Sequence, residues 1–272
     1  MQTFYVATDS FAHRLNPLSK VLATLPALIF VALTTEPYTP LAFIALTVSV
    51  ILGLGRIPIG RFLRIAGPML LLMSGFLLVY PLVVREELVR HSPLLFALGP
   101  IRVYQAGALY GLATALRVYA LLLLSLLFTL TTDASDFIRA LVQQWRLPYK
   151  IGYGALAAFR FVPMLQSELG VIRAAHRVRG VAEGDGLRAQ WRRMQRYAVP
   201  LLATAIRRAE RTALAMDGRA FGAFPTRTYY RTMRFQPHDF LFIGGFWLVS
   251  ALLVAGLWQA GLLGPLVLLQ QV

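Results

Sequence analysis

The sequence predicts an all-α integral membrane protein, with about five transmembrane helices and a cytosolic module built on two long crossed helices. Three observations carry that prediction. The chain is 57% hydrophobic with a mean hydropathy of +0.62, more apolar than a soluble domain of this size needs. Uncharged runs such as Ile65 to Val84 are long enough to cross a bilayer. Lys and Arg are also unevenly placed, since residues 132–236 hold 18 of the 27 against seven acids. A soluble basic domain would suggest nucleic acid. Here the positive-inside bias accounts for the excess, and no nucleic-acid partner is expected.

Taken in order, the chain divides into an N-terminal bundle of about four spans (1–131), a cytosolic module (132–236) and a C-terminal transmembrane helix (237–272). After a short polar segment, Val21 to Thr34 and Leu41 to Leu54 are two short apolar runs broken by Glu36-Pro37 and Pro40. Each is shorter than the roughly 20 residues a crossing usually takes; they read as two spans, with one re-entrant pair as the alternative. Arg56, Arg61 and Arg64 lead into the third span, Ile65 to Val84. A nearly neutral loop from Arg85 to Val103 follows, and Gly107 to Leu130 is the fourth span. Phe240 to Trp258 is the fifth and is expected to continue toward Leu268. With the N-terminus inside, the Arg56–Arg64 loop and the basic module are also inside and the neutral loop is outside. A multi-pass protein of the cell membrane is expected, with no cleavable signal pattern.

Within the basic module, Thr132, Asp133 and Ser135 offer cap oxygens for a short amphipathic helix carrying Phe137, Ile138, Leu141 and Val142. One long helix is predicted from about Gly152 to Arg179, kinked at Pro163. A turn at Glu183–Gly186 follows, and then a helix over Trp191–Tyr197 that is expected to lie against the membrane surface. A second long helix is predicted to begin near Pro200, at its first turn, and to run to Gly218-Arg219-Ala220. Each long helix thus ends in an arginine, Val178-Arg179-Gly180 and Gly218-Arg219-Ala220, where a cation faces the unpaired carbonyls. Small residues recur at fourfold spacing, Gly170 with Ala174 and Ala205 with Ala209 and Ala213. Such stripes let helices approach closely, so these residues are expected at a crossing. Arg117 is a charge inside the fourth span and should face other helices or water.

These residues carry a resemblance. Arg160-Phe161-Val162-Pro163-Met164-Leu165 with Glu168, Ile172, Ala174 and Val178-Arg179-Gly180 resembles the first signature of the transmembrane T component of energy-coupling factor (ECF) transporters. Arg208-Ala209-Glu210 with Leu214-Ala215-Met216-Asp217-Gly218-Arg219-Ala220-Phe221 resembles the second. His13-Arg14-Leu15-Asn16-Pro17 with Lys20, Arg117 and Thr131-Thr132 are similar to that family too. The family usually closes each signature helix with Ala-Arg-Gly; here Val precedes Arg179, and Gly218 and Ala220 flank Arg219. The resemblance implies a subunit that couples two cytosolic ATP-binding-cassette ATPases to a separate membrane S component, which captures a vitamin or a transition-metal ion. It implies ATPase docking by the two coupling-helix ends and places the S component against apolar helix faces.

The residues point to no bond-making chemistry. Cysteine is absent, and His13, His91, His176 and His238 lack ligand spacing, so neither a metal nor another cofactor is expected. No phosphate-cradling loop is present, which assigns ATP hydrolysis to other chains. Two rival functions are an integral membrane enzyme acting on anionic lipids and a self-contained secondary carrier. The first would need a nucleophile or acid–base cluster at the membrane surface, and the second an inverted repeat with polar groups at mid-membrane.

Overall fold

A computed structural model of the chain describes residues 9–83, 92–98, 101–180, 186–225 and 227–264. The described chain forms nine helices and one hairpin: α1 (Phe11–Arg14), α2 (Pro17–Leu33), α3 (Tyr38–Ser49), α4 (Ile59–Val83), β1 (Leu94–Leu98), β2 (Ile101–Tyr104), α5 (Gln105–Thr131), α6 (Ala134–Gln144), α7 (Tyr149–Val178), α8 (Leu187–Asp217) and α9 (Pro237–Gln259). It divides into two compact units, one of Met1–Ala140 with Arg234–Val272 and one of Leu141–Met233.

The core of the first unit is apolar and built on α5, the most buried of its long helices. Ala120, Leu123, Leu124 and Leu127 of α5 share one apolar cluster with Ala23, Ala27 and Val31 of α2, Phe43 of α3, Phe62 and Ala66 of α4, and Phe242 and Phe246 of α9, which joins through α2 and α3. Gly107, Gly111 and Ala115 are all buried at fourfold spacing on α5. That small-residue stripe suits the close packing of α4 along α5. Helix α3 ends in a π-turn over Val50–Leu54, closed by the Gly55 N–H on Val50 O at 3.0 Å. A Cβ at Gly55 would lie 2.4 Å from Ile51 O, so only glycine fits there.

A buried polar cluster fixes three helix ends in this unit. Asp239, 1% exposed in the first turn of α9, accepts from Asn16 N at 2.7 Å, Ser19 Oγ at 3.1 Å and Gln236 N at 2.8 Å. The last of these belongs to a capping box with Gln236. Asn16 in turn caps α2 by accepting from Leu18 N. Buried Lys20 reaches across to the end of α5, donating to Thr131 O at 2.6 Å and Thr132 Oγ1 at 3.2 Å. Helix α5 has no basic residue in its own last turn. Lys20 supplies the cation that its C-terminal carbonyls favour.

Several sequence expectations change. Four described helices are long and apolar enough to cross a membrane: Ile59–Tyr80, Gln105–Thr131, Tyr149–Val178 and Pro237–Gln259. Three correspond to expected spans. The first two expected spans appear as the shorter apolar helices Pro17–Leu33 and Tyr38–Leu54. Helix α7, assigned to the cytosolic module, joins the long apolar set, and its most apolar window buries nothing within the chain. Apolar surface left uncovered on that scale needs lipid or protein against it. The neutral loop holds an antiparallel hairpin pairing Leu98 with Ile101 and Ala97 with Arg102, which periodicity did not reveal. Finally, Trp191–Tyr197 and the stretch after Pro200 form one helix, with Pro200 in its interior. Good helix formers on both sides carry α8 through the single lost hydrogen bond. Glu183 to Asp185, Glu86, Glu87, His91 and the continuation from 265 to 268 lie outside the described residues.

The polar cluster predicts a sharp difference between two substitutions. Asp239→Leu leaves the buried Asn16 N–H and the partly buried Gln236 N–H without their acceptor, each worth about 1–3 kcal/mol, while Ser19 Oγ keeps Asn16 O. The unfolding midpoint in detergent should therefore drop steeply. Asp239→Asn keeps one acceptor oxygen and should lose much less; equal losses would show that the carboxylate's hydrogen bonds are not what holds the helix ends.

Candidate functional site

The two arginine-bearing helix ends lie in the second unit, and each turns back through a left-handed residue just after its arginine. At the end of α7, Arg179 is the C-cap and Gly180 follows with φ of 65°, its N–H bonded to Arg177 O at 3.0 Å. At the end of α8, Ala220 takes the equivalent left-handed position with φ of 55°. Its N–H bonds Asp217 O at 2.9 Å, and the Phe221 N–H bonds Met216 O at 3.0 Å. Those two bonds define a Schellman closure, in which the last carbonyls are satisfied by the chain turning back on itself. Arg179 and Arg219 each directly precede the left-handed residue, so they are equivalent by geometry as well as by sequence.

The backbone closure leaves both side chains outward. Val178 is 89% exposed, and Arg179, Gly180, Gly218, Arg219 and Ala220 are exposed. Among the described residues neither guanidinium makes a hydrogen bond or ion pair. Each therefore presents five donors in a rigid fork, a geometry matched to carboxylates and backbone carbonyls.

Helices α7 and α8 run antiparallel. Tyr149 and Tyr153 at the start of α7 pack on Phe221 just past α8, at ring separations of 5.6 and 6.0 Å. Further along, Met164 meets the Arg208 guanidinium. Near the other end, His176 packs on Tyr197 at 5.3 Å, with Arg173 over the same ring at 5.9 Å. Each advance along α7 is matched by a retreat along α8, so the two arginine tips sit at opposite ends of the pair. For helices of about 30 residues that is a separation on the order of 40 Å.

Gly170, Ala174, Ala209 and Ala213 are exposed and Ala205 is half-buried, while longer side chains make the described contacts. Small residues at helical spacing permit close approach without saying which helix approaches.

The second tip has a support that the sequence did not announce. Arg227 lies over Phe221 at 4.8 Å, Tyr153 at 4.9 Å and Tyr149 at 5.9 Å, and Tyr149 Oη donates to Phe224 O at 3.0 Å. An exposed cation–π contact is worth about 0.5–1 kcal/mol. Shared among three rings, it ties the chain after α8 to the start of α7. Gln143 does similar work on the return segment, donating to Arg231 O at 3.0 Å and accepting from Met233 N at 2.7 Å. The spacing of Tyr149 and Tyr153 by one turn was the available signal.

Arg117, in the first unit, is half-buried on α5, and its Nε is buried without a hydrogen-bond partner. Glu36, at the turn between α2 and α3, is an acid that bears on it electrostatically.

The fold and the site define an α-helical membrane protein that presents two matched cationic helix ends. The chain belongs to the CbiQ family, described as cobalt transport protein, which matches residues 8–230, and it is related throughout to T components of energy-coupling factor transporters. It is 27% identical over 259 residues to the energy-coupling factor transporter transmembrane protein EcfT of Bacillus subtilis (strain 168), covering 92% of this chain and 95% of that one. The protein of the same name from Streptococcus thermophilus is 29% identical, over 88% of this chain and 91% of its own. That from Streptococcus equi subsp. equi is 30% identical, over 88% and 90% respectively.

The matched closures give a prediction of opposite signs. An alanine in the left-handed region costs about 1–2 kcal/mol that glycine avoids. Ala220→Gly should slow amide exchange in the last turn of α8, and Gly180→Ala should speed it in the last turn of α7. Faster exchange in the Ala220→Gly protein would mean that the left-handed closure is not what ends α8.

Proposed function

We propose that this chain is the non-catalytic coupling subunit of an ECF importer, transmitting ATP-driven motion from two cytosolic ATPases to a substrate-binding S component for vitamin or transition-metal uptake. The ATPases dock on the two tips, one on Val178-Arg179-Gly180 and the other on Gly218-Arg219-Ala220. The observation that carries this reading is the outward arginine directly before a left-handed residue at each helix end, with no hydrogen bond or ion pair of its own among the described residues. Two equivalent tips at opposite ends of an antiparallel pair suit two copies, or two homologues, of one partner. An arginine fork against acidic side chains and carbonyls is a common interface anchor.

Closure of the ATPase pair would then draw the tips and with them α7 and α8. The unburied apolar face of α7 supports a membrane partner for these helices, and the S component would bind apolar helix surface of this kind. The N-terminus and the coupling helices lie on the cytoplasmic side in this reading, as the distribution of Lys and Arg favours.

Replacing both Arg179 and Arg219 with Ala should abolish uptake by the reconstituted transporter. It should weaken ATPase capture by at least tenfold, since buried charge-assisted contacts typically cost about 2–5 kcal/mol when truncated, while the protein still inserts in the membrane. Normal uptake by the double variant would reject the docking role.

A further inference from the structure

The first three turns of α8 carry a second basic surface that the docking tips do not use. Between Gly186 and Ala209 there are six arginines and no acid, the nearest upstream acid being Asp185. At about 100° per residue, the side chains over Leu187–Tyr197 sort into three arcs. Ala189, Arg193 and Tyr197 share the arc that packs inward, where buried Tyr197 meets His176 and Arg173 of α7. On another arc Leu187, Trp191 and Met194 are 86%, 59% and 59% exposed. Between these two, Arg188, Arg192 and Arg196 form a row at fourfold spacing, all exposed. Among the described residues these three make no hydrogen bond or ion pair. A hollow of about 390 Å³ is walled by Leu187, Arg188, Trp191 and Arg192, where the arginine row adjoins the apolar stripe.

We propose that this face of α8 binds the anionic phospholipid surface of the membrane: Leu187, Trp191 and Met194 enter the boundary of the acyl chains, and Arg188, Arg192 and Arg196 hold the phosphate headgroups. Charge complementarity selects the occupant. An apolar stripe bordered by an unbroken arginine row matches a surface that offers hydrocarbon and negative charge side by side. Tryptophan prefers that boundary, and arginine stems reach up from it while their heads stay hydrated. An acidic protein would match the charge but would leave three adjoining large apolar side chains without a reason to be exposed. Anchored in this way, the start of α8 rests on a fixed surface while its far end carries Arg219.

The chain has no cysteine, so Met194→Cys gives a single attachment point for a nitroxide. The full-length labelled protein is placed in nanodiscs of neutral phosphatidylcholine, or of phosphatidylcholine mixed with phosphatidylglycerol. Its collisions with membrane-soluble oxygen and with a water-soluble nickel chelate are then compared. The label should be oxygen-accessible in the anionic discs and should shift toward the nickel chelate in the neutral ones. Raising salt from about 0.1 M to about 1 M shortens the screening length from roughly 10 Å to 3 Å and should cause the same shift. Arg188→Gln, Arg192→Gln and Arg196→Gln together should lower the inserted population by roughly a hundredfold. Because salt acts on the unaltered arginines, a folding defect in that triple variant would not mask the result. Equal accessibility in both lipids at both salts overturns the proposal. So does a label that becomes protected only when ATPase subunits are added, which would assign the face to a protein partner. The Arg179 and Arg219 tips are intact throughout, so neither outcome depends on the docking reading.

Discussion

An α-helix leaves its last carbonyls without donors, and the way each end is satisfied decides what its neighbouring cation is free to do. At the end of α5 the donor is a side chain from elsewhere, the buried Lys20 ammonium on Thr131 O and Thr132 Oγ1. That lysine is committed to the interior and serves the fold. At the ends of α7 and α8 the donors are the chain's own amides, brought round by Gly180 and Ala220 in the left-handed conformation. The arginines beside them have no capping duty and remain outward. One constraint, solved in two ways, separates a structural cation from two that are available to a partner.

The units differ in how far they satisfy themselves. In the first, α5 packs against α2, α3 and α4, α9 packs on α2 and α3, and Asp239 gathers donors from two segments far apart in sequence. Removing such an acceptor strands buried donors, so the cluster fixes where α2 and α9 begin. In the second, the long helices meet through a few aromatic and arginine contacts and leave much apolar surface uncovered. A unit with so little internal burial draws stability from what it binds and can move with its partners. That suits the coupling role proposed for it.

Much of this was legible in the sequence. The long apolar runs marked α4, α5 and α9, and Arg179 and Arg219 stood out because their surroundings repeat. Less legible was everything set by contacts between distant segments. Nothing local marks Asp239 as the acceptor for Asn16 and Ser19, or Arg227 as the cation over three rings around Phe221. Pro200 pointed to a helix start because proline fits a first turn, but strong helix formers on both sides carried α8 through it. The stripe over Ala205, Ala209 and Ala213 has the spacing of a helix contact, whereas the described contacts with α7 fall on larger side chains. The closure of α8 was open until the backbone placed Ala220 where glycine usually sits.

The most direct test of the coupling account uses the sites beside the tips without touching either arginine. With no native cysteine to compete, Val178→Cys and Gly218→Cys proteins can each carry a short photoactivated cross-linker in the membrane-reconstituted complex. The account predicts an adduct with an ATPase subunit from each position, lost when the adjacent arginine is changed to Ala. Adducts confined to lipid or to this chain itself, from either position, would contradict it.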